Sequence, residues 1–282
     1  MKSNINYYSQ VTRFTEIKTE QWIINKLRWD IDFLFDCVKS ILIHPIETKY
    51  EKVKYDRSKN GVFHAFNSTV EQILKYDRLA PFLKEKTLPL KTKPQDKAVL
   101  SCDHHALLFT AFVRNLNIPI RNRTGFAKYL APGMLIPHWI TEIYDEKLNT
   151  WKFIDPERRI KDVNKDSFLL AGQAWQFNEM NPDVYIPGYS GLRGKQGLKY
   201  ALFSDFNCIF KNELLGYEWR LKIFNKKKPE IVHISYERLT AVQQRDIQQI
   251  VKLMADPDKN IKELSALYIK HINEPGTTNP YF

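Results

Sequence analysis

A nearly all-round apolar segment in the middle of the chain constrains the fold most strongly. Between Ser101 and Asn117, apolar residues fall on every side of a helix: Ala106, Phe109, Ala111, Phe112, Val113 and Leu116. A surface helix would keep one polar face, so this pattern predicts a buried central helix. Ser101 is a suitable residue to cap its start, and Asn117 before Pro119 ends it.

Two segments that alternate between apolar and polar residues follow this helix. They are residues 138–144 and 149–155. Alternation of this kind predicts strands with one buried face, here joined as a hairpin by the loop 145–148. In that register Tyr144 lies opposite Asn149, and His138 lies opposite Asp155. Opposed residues share a face, with Cβ atoms about 4.5–5.5 Å apart, so the pattern predicts an imidazole–carboxylate hydrogen bond.

The residue at the start of the central helix is a cysteine, Cys102. A thiol attacks as thiolate, and a helix N-terminus or a neighbouring imidazolium lowers its pKa. A carboxylate that accepts the far N–H of the imidazole fixes its tautomer. Cys102, His138 and Asp155 therefore form a candidate catalytic triad for acyl transfer. The plainer alternatives are a buried structural cysteine and two polar residues at strand ends.

The residues around this triad resemble a known family, the transglutaminase-like, papain-related cysteine enzymes, and in particular a bacterial subgroup. The resemblance is carried by Cys102, Arg114, Pro119, Arg121, Arg123, Gly125, Phe126, Tyr129, Pro132, Gly133, His138, Trp139 and Asp155. It covers about residues 95 to 220. It implies an α+β fold with a papain-like core, in which a central Cys-bearing helix packs on an antiparallel sheet. The subgroup usually has Arg-Asp after the cysteine, whereas this chain has Asp103-His104.

Helical patterns flank this core on both sides. Apolar residues recur at helical spacing over 17–43, and two amphipathic helices are predicted over 240–272, split at Asp256-Pro257. We therefore expect three regions, which could also form one domain: a helical N-terminal region over 1–86, a catalytic core over 87–225 and a helical extension over 226–282.

Further residues near the core are candidates for substrate binding. Arg121 and Arg123 share one face of a predicted strand over 120–129, and they could bind a substrate carboxylate or phosphate. Their alternative role is an ion pair with Asp or Glu. Trp139 is a candidate substrate contact beside His138, and Gly125 marks a bulge or a close approach of the strand to its surroundings.

Composition limits the partners and the compartment. The chain has 282 residues, a net charge of +11 and three widely spaced cysteines. Such sparse cysteines indicate a reducing compartment. With neither an apolar leader nor a membrane span in the sequence, we expect a cytoplasmic protein. The lysines are spread along the chain, and no predicted helix shows Lys or Arg interleaved with aromatic residues on one face. We therefore expect a peptide, amide or amine-bearing small-molecule substrate and no nucleic acid.

Two other classes of function stay open at this point. A metal-dependent enzyme could use Cys102, His104, His105 and His138 as ligands, although the spacing typical of zinc sites is absent. A non-catalytic binding or scaffold protein could use the same fold, because fold does not determine function. The triad itself needs no cofactor. Spacing does not distinguish hydrolysis from transfer to an amine, and it does not indicate an oligomeric state.

Overall fold

Helices and an antiparallel sheet coexist in this protein, which confirms the α+β class. The computed structural model describes residues 5–54, 68–184, 186, 192–213 and 234–272. The α-helices are α1 (Trp22–Lys26), α2 (Ile31–Ile41), α3 (Glu47–Tyr50), α4 (Val70–Leu74), α5 (Ala80–Lys84), α6 (Cys102–Arg114), α7 (Ala171–Met180), α8 (Gly194–Ile209), α9 (Ala241–Leu253) and α10 (Ile261–His271). The strands are β1 (Leu42–Ile43), β2 (Ala98–Val99), β3 (Ile120–Ala127), β4 (Ile136–Asp145), β5 (Thr150–Ile154) and β6 (Phe168–Leu170).

The chain divides into two compact units. The first unit comprises Asn6–Asn122 and Ile140–Val163, and the second comprises Met1–Ile5, Arg123–Trp139 and Asn164–Phe282. The three regions expected from the sequence stay a prediction, and their second boundary lies outside the described residues.

The first unit is built around α6, the predicted central helix. Every residue of α6 after Cys102 is buried, which confirms the prediction. Helices α2 and α4 pack against it, and the rings of Phe35 and Phe109 meet at 5.4 Å between α2 and α6. Strands β1 and β2 pair in parallel, and the Leu100 amide donates to the Ile43 carbonyl at 3.0 Å just before the helix begins. This pairing fixes where the chain enters α6.

The second unit is mainly helical. Helix α7 packs against α8 and α9, and α9 packs against α10. Helices α9 and α10 are separated around Asp256-Pro257, as predicted. Strand β6 pairs antiparallel with β3, with Gly125 opposite Leu170.

The helix predicted over 17–43 is interrupted. Helix α1 ends at Lys26, and α2 begins at Ile31. Asp30 lies in extended backbone and accepts the Phe33 amide with its carboxylate at 3.2 Å. Because an aspartate cap satisfies an amide at the start of a new helix, it favours two helices over one.

The four-stranded sheet has the order β5-β4-β3-β6, and β4 and β5 form the predicted antiparallel hairpin. Its predicted register was wrong by two residues, since Tyr144 lies opposite Trp151 and the loop is 146–149. The Asp145 carboxylate accepts the amides of the second and third loop residues, at 3.0 and 3.1 Å, and Asn149 closes the loop at φ 49°. Asparagine tolerates this left-handed conformation, so Asn149 belongs to the loop and not to the second strand. The loop therefore begins and ends one residue later than predicted.

The corrected register moves His138 relative to Asp155. Thr141 is the partner of Ile154, where β5 ends, and Asp155 pairs instead with Ile160. The pairing of His138 with Asp155 that the sequence predicted was therefore wrong.

Candidate functional site

Cys102 differs from the other two cysteines in its exposure. It is the first residue of α6 and is partly exposed, whereas Cys37 and Cys208 are completely buried. Burial, with a contribution from Asp36, raises the pKa of the Cys37 thiol to about 12. A thiol with such a pKa carries almost no thiolate at neutral pH. Cys102 is consequently the cysteine best suited to react.

The first turn of α6 is held by its own side chains. Ser101 caps the helix by position, but its hydroxyl donates to the Asp103 carboxylate at 2.7 Å instead of capping the backbone. The same carboxylate oxygen accepts the His104 amide at 3.0 Å and lies 2.7 Å from His104 Nδ1. His105 Nδ1 lies 3.0 Å from the Ser101 carbonyl oxygen. These bonds fix the backbone at Cys102.

The two histidines after Asp103 serve packing in this arrangement. Both rings are completely buried. Burial, helped by the charge of Lys39, lowers the pKa of His105 well below its usual value, so that ring is neutral. The Nδ1 atoms of both rings are engaged in the first turn. Neither histidine belongs to the group of described residues whose donor atoms lie close enough together to hold a metal ion, and the metal alternative stays a prediction.

His138 lies near the beginning of β4 and is 2% exposed. The ring of Tyr129 meets its imidazole edge to face, with centroids 6.2 Å apart and an interplanar angle of 85°. Such a contact restricts rotation of the imidazole about its side-chain bonds. His138 is therefore a buried imidazole packed against Tyr129.

Asp155 follows β5 and is completely buried. Its backbone pairs with Ile160 through two hydrogen bonds of 2.9 and 3.0 Å, which close a tight turn. Within the turn, its Oδ1 atom accepts the Arg158 amide at 2.9 Å. Part of the hydrogen-bonding capacity of this carboxylate is therefore used to build the turn.

Glu157, inside the same turn, was not identified from the sequence. It is 3% exposed, and one of its carboxylate oxygens lies within 4.8 Å of Cys102 Sγ. His44, which follows β1, places its Nε2 atom 3.8 Å from Glu157 Oε2. The sequence signals here are weak, because His44 stands alone before a proline and Glu157 follows a turn-forming Asp-Pro pair.

The two candidate substrate-binding arginines lie in buried ion pairs. Arg121 Nε donates to Glu142 Oε2 at 2.5 Å, and its guanidinium stacks over the Trp151 ring at 4.1 Å. Arg123 binds the Asp205 carboxylate through two nitrogens, at 2.8 and 2.9 Å. This is the ion-pair alternative that the sequence left open. Trp139 is 2% exposed, and binding of substrate by these three residues stays a prediction without geometric support.

Comparisons with known proteins add no relatives. No family model, curated protein or solved structure matches this chain. The resemblance to transglutaminase-like enzymes therefore stays an expectation. Among the described residues, no helix combines the length and apolar character needed to cross a bilayer.

Proposed function

We propose that this protein catalyses acyl transfer at an amide or ester carbonyl on a transglutaminase-like, papain-related core. The observation that carries the proposal is the environment of Cys102. It is a partly exposed cysteine at the first residue of a buried helix, in a chain whose two other cysteines are completely buried. A helix N-terminus favours the thiolate form of such a residue.

In the proposed reaction, the Cys102 thiolate attacks the carbonyl carbon and His138 carries the proton. The tetrahedral intermediate collapses when His138 gives this proton to the leaving amine or alcohol, which leaves a thioester on Cys102. Water or an amine then attacks the thioester while His138 accepts its proton, and the thiolate is released. In this proposal Asp155 orients His138 by accepting the second N–H of its ring.

The oxyanion that forms at the carbonyl needs hydrogen-bond donors. The Cys102 amide stands at the first position of α6, where amides do not join the helix ladder, and it is the first candidate donor. No metal or organic cofactor is required. A peptide, an amide or an amine-bearing small molecule fits this chemistry as substrate, and a reducing cytoplasm suits a free thiol.

The test is turnover of a panel of p-nitrophenyl esters with and without an added primary amine. We expect Cys102→Ala to lose nearly all thiol-dependent release of p-nitrophenol. The matched control is Cys37→Ala, which removes a buried thiol and should retain the turnover of the folded protein. Incorporation of the amine into the product would identify transfer, and its absence would identify hydrolysis.

Full turnover by Cys102→Ala would remove the basis of the proposal. So would the absence of turnover in the unmodified protein with every ester. Either result would favour the non-catalytic binding or scaffold role on the same fold.

A further inference from the structure

A groove in the first unit lies at the end of α6 that is remote from Cys102. Its volume is about 550 Å³, and it is lined by the segment that leads into α2, the loop after α6, the end of the β4–β5 hairpin and residues 161–162. Small-molecule sites in proteins have volumes of roughly 300–1,000 Å³, so the groove has a suitable size. Because α6 has 13 residues, about 20 Å separates its two ends, and the groove is distinct from the site at Cys102.

Part of the groove has an apolar lining that is fixed in place. It is formed by Ile118, Pro119, Ile143 and Ile154, and the last three of these residues are buried. The Tyr144 amide donates to the Pro119 carbonyl at 3.1 Å and ties the loop after α6 to β4. A preformed apolar surface lets a ligand bury its own apolar groups without first ordering the protein.

A half-exposed tryptophan also lines the groove. Trp29 is 50% exposed, whereas Trp139, Trp151 and Trp175 are buried. An indole ring that stays in contact with water beside an apolar surface can offer its face to a ligand. The face of an aromatic ring is negative, and among the aromatic side chains tryptophan attracts a cation most strongly. Trp29 therefore favours a ligand with a cationic group.

Two of the three lysines that line the groove are held by carboxylates. Lys152 Nζ lies 2.7 Å from Asp145 Oδ2, and the hydrogen bond between them, followed by the charges of Asp145 and Asp162, raises the pKa of Lys152. Asp145 and Asp162 both line the groove, so the Lys152 ammonium group is shared between two of its carboxylates. Lys161 forms an ion pair with Asp32, which lies outside the lining. The charge of Lys161 is therefore balanced from outside the groove.

The lining consequently carries more negative than positive charge. Its third lysine, Lys147, follows Glu146 in the hairpin loop, and both residues are exposed. With Lys161 balanced from outside, the lining holds three carboxylates against two ammonium groups, an excess of one negative charge. The whole chain has a net charge of +11, so the groove is opposite in sign to the protein. A ligand with one positive charge is complementary to it.

We propose that this groove is a binding site for a small molecule with an apolar body and one ammonium group. The apolar body packs on Ile118, Ile143 and Ile154, and the ammonium group is bound by the Trp29 ring and the Asp162 carboxylate. The site is separate from the proposed acyl transfer, because none of its residues takes part in that reaction.

The experiment is isothermal titration calorimetry of the full chain at pH 7 and low salt, with three probes of similar size. The probes are 4-phenylbutylamine, 4-phenylbutanol and 4-phenylbutyrate, which are cationic, neutral and anionic. We expect the amine to bind with a Kd about tenfold lower than that of the carboxylate, with the alcohol between them. Added salt should narrow this difference, because it screens charges near the surface.

Variants of the lining locate the bound amine. Trp29→Ala should raise the Kd of the amine about threefold to fivefold. Asp162→Asn should bring the Kd values of the amine and the carboxylate closer together, and this exposed position provides the test if thermal denaturation shows that Trp29→Ala does not fold. The matched controls are Glu263→Gln, at an exposed position of α10, and Cys102→Ala. Both should bind the amine as the unmodified protein does.

Equal or tighter binding of the carboxylate, or no binding of the amine, would overturn the inference. Unchanged amine binding in both lining variants, or its loss in Cys102→Ala, would also overturn it, because the amine would then bind elsewhere. Sedimentation velocity tests whether a second copy of the chain occupies the groove instead. A dimer that does not bind the amine and that Trp29→Ala dissociates would replace the ligand site with an interface between copies.

Discussion

At the scale of single residues, the three cysteines have the same chemistry and different environments. Cys37 lies in α2 and Cys208 in α8, both completely buried, whereas Cys102 is partly exposed at the start of α6. The sequence distinguishes them only partly, because position at a helix start can be predicted and the depth of burial cannot. The pKa of about 12 for Cys37 follows from packing around α2.

We expect iodoacetamide to label Cys102 faster than Cys37 or Cys208 at neutral pH. The thiolate fraction of Cys37 is negligible there, and the helix N-terminus favours the thiolate of Cys102. Peptide mass spectrometry after timed quenching gives the three rates, and labelling in denaturant, where the cysteines become equivalent, is the control. Equal or slower labelling of Cys102 in the folded protein would count against its role as nucleophile.

At the scale of elements, the periodicity of the sequence identifies the central helix, the hairpin strands and the two C-terminal helices, and local contacts then set where elements end. Asp30 divides one predicted helix into two by capping α2, and Asn149 in a left-handed conformation moves the hairpin register. Neither the helix cap at Asp30 nor the turn at Asn149 can be read from the spacing of apolar residues. Gly125 was predicted to mark a bulge or a close approach, and the structure shows a close approach.

We expect Gly125→Ala to destabilise the protein by about 3 kcal/mol or more. A Cβ atom there would lie 2.1 Å from the Leu169 carbonyl oxygen, so β3 and β6 would have to separate. Gly133→Ala is the matched control, because it has positive φ but no atom within 4 Å of the added Cβ. Its cost should be about 1 kcal/mol. Denaturant unfolding measures both, and equal costs would contradict this account of the strand pair.

Helices α9 and α10 are joined by a charge cluster whose contribution should depend on pH. The Asp246 carboxylate lies 2.6 Å from Lys270 Nζ and 2.9 Å from His271 Nε2. Burial opposes its ionisation, but the hydrogen bond with Lys270 and the charge of His271 outweigh burial and lower the pKa of Asp246. A lowered pKa in the folded state means that this stabilisation is present above the ordinary aspartate pKa and is lost as pH falls.

We therefore expect Asp246→Asn to lower the free energy of unfolding by about 1 kcal/mol at pH 7. The difference from the unmodified protein should narrow steadily below about pH 4. Urea unfolding across this range measures it. Glu263→Gln, at an exposed position of α10, should have little effect at any pH. A difference for Asp246→Asn that is independent of pH would show that its charge does not stabilise the helix pair.

At the scale of the whole molecule, the sequence predicts the α+β class, the central helix, the hairpin and the two C-terminal helices. It does not predict which distant side chains meet. Asp205 reaches Arg123 across 82 positions of the chain, and Glu157 approaches Cys102 because a turn and a parallel strand pair bring them together. Such contacts depend on tertiary packing, which no local pattern encodes. The candidate nucleophile could therefore be predicted, while the charges near it could not.

The central claim is that Cys102 forms a covalent acyl intermediate. The most direct measurement is intact-protein and peptide mass spectrometry after brief incubation with a p-nitrophenyl ester and acid quenching. We expect one acyl group per chain, located on the peptide that contains Cys102 and absent from Cys102→Ala. Acyl groups spread over lysines, with Cys102 unmodified in the folded protein, would contradict the claim.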